Sequence, residues 1–159
     1  MLFRVKVVRD ALCLTVFLLN TLLPVEILIL FLMFQVFQRF ANDCVIAAVS
    51  MATGLDYADV LETAKKNGFI PGDPRVGFYI CDLLDLCGFD YTETEGAADR
   101  RYEGPAIFLI PSPDGSGDWH SVVIYRNRIF DPSFDWPARL GYTLKTASHV
   151  YDDIRRYEE

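Results

Sequence analysis

The chain has 159 residues, enough for one core-bearing domain and too few for two ordinary ones. It is 52% hydrophobic and 23% charged, which excludes a globally disordered protein. Its net charge is −7. Residues 1–37 hold Arg4, Lys6 and Arg9 against Asp10 and Glu26, a net +1, which leaves −8 on the rest. An acidic body without a basic stripe argues against nucleic acid as a partner.

The first element is apolar. Residues 11–37, ALCLTVFLLNTLLPVEILILFLMFQVF, follow a basic decapeptide. Length and flank predict a signal-anchor helix, positive side in, and so a membrane association. Asn20, Pro24 and Glu26 interrupt it, and no small-x-small cleavage site follows. A start at Met33 is one alternative, opening a domain at MFQVFQRFANDC with residues 1–32 not made, and a buried apolar helix is another. The protein is membrane-anchored in the first case and cytoplasmic in the second. The division expected is an apolar segment over 1–37 and a body over 38–159.

In the body, Cys44, Val45, Ala48, Val49 and Ala52 recur at helical spacing, with Asn42 or Asp43 to cap the start and Gly54 to stop it. A second helix is predicted from about Tyr57 to Lys66, capped by Asp56 and closed by Gly68. A third is predicted from about Val76 to Cys87, after a loop with Pro71, Gly72 and Pro74. Then the period changes. Phe89 to Thr94 alternates as a strand, and Ala106 to Ile110 reads as a buried strand between two prolines. Trp119 to Tyr125 and Arg128 to Asp131 form a hairpin across Arg126-Asn127. The tail from about Thr146 to Tyr157 is expected to be a polar-faced helix. Helices first and strands second define an α+β fold with an antiparallel sheet.

The chemistry-bearing residues fall at the joints of these elements. Cys44 opens a helix, where the dipole and orphan N–H groups favour a thiolate. His120 opens a strand, and the predicted hairpin brings Asp131 within reach to fix its tautomer and favour the imidazolium. Attack by such a thiolate on a carbonyl makes an oxyanion, for which the Cys44 N–H and the Gln38 side-chain amide are the expected donors. The expected roles are Cys44 nucleophile, His120 base then acid, Asp131 orienter and Gln38 oxyanion donor. The four cysteines form no CxxC and only two histidines exist, so neither a zinc cage nor a disulfide framework is expected. No metal or organic cofactor is needed. Cys81 and Cys87 are expected to be core thiols and His149 a solvated tail residue; Trp119, beside His120, is expected to pack, with shielding of the ion pair or lining of a cleft as the alternative.

The order Gln38, Asp43-Cys44, His120-Ser-Val-Val-Ile, Asp131-Pro132 resembles the papain-like cysteine peptidases. Within them it resembles the bacteriocin-leader-processing (double-glycine) peptidases. The likeness spans roughly residues 36 to 133. It implies a papain-like fold, N-terminal helices on an antiparallel sheet, and a Cys-His-Asp thiol hydrolase cleaving peptide or isopeptide bonds of a peptide or protein substrate through a thioester. Val45 stands where the family places glycine, so cleavage after a double glycine does not carry over. An inactive module of the same fold, binding a peptide or protein, is the alternative.

Overall fold

The computed structural model describes residues 35–96, 101–112, 116–126, 128–133 and 144–157. The predicted N-terminal helix of residues 11–37 therefore lies almost wholly outside the described residues. Among the described residues no helix is long and apolar enough to cross a membrane. These residues belong to one compact unit, Gln35–Glu159, and are α+β: three α-helices and a five-stranded antiparallel sheet.

Helix α1 spans Cys44–Thr53. Ile46 through Ala52 are all buried, so α1 is enclosed on every side rather than along one stripe. Gly54 closes it at φ 75°, donating its N–H to the Ser50 carbonyl; the left-handed turn suits a residue without Cβ. Helix α2, Tyr57–Lys66, buries Tyr57, Val60, Leu61 and Ala64 along one face, and Asp56 caps it through Ala58 N at 2.7 Å. Lys65 and Lys66 complement the dipole at its far end.

Helix α3 is shorter than expected, Ile80–Leu86 rather than Val76–Cys87. The cause is Asn42. Its Nδ2 donates to the carbonyls of Ile70, Asp73 and Val76, and its Oδ1 accepts from Gly72 N. The Val76 carbonyl that an earlier helix start would use is thereby held elsewhere. Cys81 and Cys87 are half-buried, not core, and burial pushes both thiols up.

The strands are β1 Phe89–Glu95, β2 Ala106–Pro111, β3 Trp119–Tyr125, β4 Arg128–Phe130 and β5 His149–Arg156, in the spatial order β1-β5-β2-β3-β4. The tail expected to be helical is thus a 3₁₀ turn, Leu144–Thr146, followed by an interior strand. β5 supplies ladder partners to both β1 and β2, which would otherwise each lack a neighbour on that side. A bulge at Asp153, φ 54°, shifts its register against β1 and breaks the alternation that marks a strand. His149 is accordingly a strand residue, its Nε2 3.8 Å from Glu93 Oε1 rather than free in solvent. Ala106, Phe108, Ile110, Val122, Ile124 and Val150 bury together in one core cluster, and α1 packs against β3 and β2.

Candidate active site

The β3–β4 register pairs Val123 with Phe130 and Ile124 with Ile129. Carried one step on, it sets Asp131 opposite Val122, on the face that His120 also uses. His120 Nε2 and Asp131 Oδ1 are 2.8 Å apart, and both residues are 5% exposed. Asp131 Oδ1 also accepts from Ser133 N at 2.7 Å, which fixes the carboxylate. The predicted pair is therefore formed and shielded from water.

Cys44 is the first residue of α1 and hydrogen-bonds the His120 ring. With Nε2 facing Asp131, Nδ1 is the ring nitrogen left for the thiol. Burial by itself pulls the His120 pKa down; the bonds to Asp131 and Cys44 outweigh it and raise it to about 9. Helix half, sheet half and β4 exit loop thus meet in one Cys-His-Asp line.

Gln38 reaches the same corner by its backbone. Its N–H donates to the Pro132 carbonyl at 2.8 Å, and Gln35 Nε2 donates to the Asp131 carbonyl at 2.8 Å. The segment before α1 is thereby laced onto the Asp131-Pro132 turn. Gln38 Oε1 is buried with no hydrogen-bond partner among the described residues.

Asp43 has a role that the sequence did not disclose. It sits at the N-cap of α1 but makes no side-chain cap bond. Its Oδ2 instead accepts from Arg39 N at 3.0 Å, Phe40 N at 3.2 Å and the Tyr57 hydroxyl. This buried carboxylate clamps the turn between Gln38 and Cys44. The Arg39 guanidinium lies 4.4 Å from the Tyr57 ring centre, over its face. The first-turn N–H groups of α1, beside Cys44, receive no cap from it.

A cleft of about 290 Å³ opens beside Cys44. Trp119 forms part of its wall and is 53% exposed, so of its two expected roles it takes the cleft one rather than packing. Tyr79, 77% exposed, and Val45 also line it. The separate and larger hollow between Arg101–Pro105 and Asp152–Arg155 contains none of the four predicted site residues. No cluster of His, Cys, Asp and Glu suited to a metal ion occurs among the described residues. No protein-family model matches the chain, and no curated protein matches it.

Proposed function

We propose that the chain is a papain-like thiol hydrolase that cleaves peptide or isopeptide bonds. The observation that supports this best is the line Cys44–His120–Asp131, its His120–Asp131 pair buried and its Cys44 beside the cleft, with the His120 pKa raised to about 9. A histidine charged at neutral pH beside a thiol favours the thiolate–imidazolium pair that such chemistry needs.

In this reading Cys44 Sγ attacks the substrate carbonyl carbon, and the C–S bond forms as the carbonyl electrons move to oxygen. The Cys44 N–H and the Gln38 side chain stabilise that oxyanion. On collapse the C–N bond breaks, and His120 gives its proton to the departing amine. Water then attacks the thioester, delivering one proton to His120 and hydroxide to the acyl carbon. The carboxylic acid leaves and the thiolate–imidazolium pair returns. Asp131 holds the ring with Nδ1 toward sulfur throughout. Val45 puts an isopropyl group into the cleft wall, which sets this site apart from the double-glycine peptidases.

Iodoacetamide alkylation of the full chain from pH 5 to 8.5, with peptide mapping, tests the proposal. Cys44 should be alkylated well below pH 7 and Cys44→Ala should remove that signal. Cys81 and Cys87, their thiols raised by burial, should stay unmodified there. Alkylation of Cys44 that begins only near pH 8.5 would leave an inactive peptide- or protein-binding module as the reading.

A further inference from the structure

Cys44 is delivered by a turn that is fixed at both ends. At one end the Gln38 N–H donates to the Pro132 carbonyl at 2.8 Å, beside Asp131. At the other, Cys44 opens α1 and hydrogen-bonds the His120 ring. The residues between, 39–43, therefore set where the sulfur stands against the imidazole. Asp43 closes this turn from within: its Oδ2 accepts from Arg39 N at 3.0 Å and Phe40 N at 3.2 Å. The same oxygen accepts from the Tyr57 hydroxyl, which pins the turn to the first residue of α2. Asp43 and Tyr57 are both buried, so water competes little for these bonds. Burial and the bond to Asp43 push the Tyr57 pKa up, which keeps its hydroxyl a donor.

We infer that Asp43 and Tyr57 are a positioning pair for the nucleophile, holding the turn from Gln38 to Cys44 closed so that Cys44 Sγ meets the His120 ring. The inference rests on the thiol-hydrolase reading and adds to it two residues that act through Cys44. Two local departures support it. An aspartate at an N-cap ordinarily bonds its own helix, yet Asp43 leaves α1 without a side-chain cap, at the residue beside the thiol. Asp43 Oδ1 is also buried with no hydrogen-bond partner among the described residues. A carboxylate kept there at such cost is explained by what its other oxygen holds in place. Charge by itself is no reason for it. A carboxylate one residue from a thiolate disfavours the thiolate, so neutralising Asp43 would help the thiol ionise were charge its only effect. A clamp predicts the opposite sign.

Iodoacetamide alkylation of Cys44 in the full chain, followed by peptide mapping from pH 5 to 9, tests this in Tyr57→Phe, Asp43→Ala and Asp43→Asn. The probe displaces iodide from carbon and forms no oxyanion, so the pH of half-maximal rate reports the thiol–imidazole contact alone. Tyr57→Phe removes one hydroxyl and should raise that pH by about one unit, the scale of one hydrogen bond to a charged group. Asp43→Ala should raise it at least as far. Asp43→Asn, whose amide oxygen accepts from the same donors, should raise it less than Asp43→Ala. Urea unfolding of each variant separates this from stability. Lowered urea midpoints with the half-maximal pH unmoved in the folded variants overturn the inference, since the pair then serves the fold only. A half-maximal pH that falls in the Asp43 variants also overturns it, because charge then outweighs the clamp. If Asp43→Ala does not fold, Tyr57→Phe decides alone. In each of these cases the unmodified chain still reacts below pH 7 and the hydrolase reading stands. Failure of the unmodified chain to be alkylated at Cys44 below pH 7 removes that reading and the positioning pair with it.

Discussion

His120 is under opposed influences, and their balance can be measured. Burial disfavours its charge, while Asp131 and Cys44 favour it and prevail, to about 9 from an ordinary 6.5. In an NMR titration the ring should change protonation near pH 9, and Cys44→Ala or Asp131→Asn should move that midpoint down. Because the folded value lies above the unfolded one, the pair's contribution to stability is complete below pH 6.5. It fades as pH rises through about 9, so urea midpoints should fall across that window. Cys44, His120 and Asp131 were legible as a set, since helix start, strand start and hairpin are all local signals. Asp43 was not. A capping residue before an apolar helix is the ordinary reading, and it is the Tyr57 hydroxyl, fourteen positions on, together with the Arg39 and Phe40 N–H groups, that turns the carboxylate the other way. Asp43→Ala should cost about 2–4 kcal/mol, because three donors lose a buried acceptor. Tyr57→Phe should cost about 1 kcal/mol. Denaturant unfolding of both variants checks the difference.

Among the elements, α1, α2, β2 and β3 carry their own marks: apolar runs, an Asp56 cap, bounding glycines and prolines. α3 and β5 show what such marks miss. Val76 to Tyr79 has helical spacing, yet the Asn42 side chain holds the carbonyls of Ile70, Asp73 and Val76 and keeps that stretch a loop. Asn42→Ala should free it, with stability lowered by about 1–3 kcal/mol and new proteolytic cuts between Ile70 and Val76. Uncut loops and unchanged stability would show that the three bonds contribute little. β5 is polar along much of its length, and its helical look comes from charges that lie at the exposed end of a strand. Its buried residues, Val150 and Tyr151, are adjacent and so fall on opposite faces of an interior strand.

At the scale of the molecule, the body from Gln35 onward is one unit whose site is assembled from both halves of the sequence. The helical half gives Cys44 and the sheet half gives His120 and Asp131. The lacing of Gln35 and Gln38 onto Asp131 and Pro132 ties the segment before α1 to the exit of β4. The apolar stretch of residues 11–37 makes a separate prediction. The full chain should sediment with membranes and require detergent for release, whereas a chain begun at Met33 should stay in the supernatant and still be alkylated at Cys44. A full chain released by salt alone would argue against an anchor.

The sequence by itself determined the α+β class, most element positions and the trio of candidate residues, because hydrophobic period, turn residues and caps act over a few positions of chain. Tertiary structure alone decided that the tail is an interior strand, that Asp43 clamps a turn rather than a helix end, and that a cleft lies beside Cys44. Each of those depends on ladder partners, hydroxyls and walls supplied from far along the chain, and no local pattern encodes which distant groups will arrive to satisfy a buried polar atom.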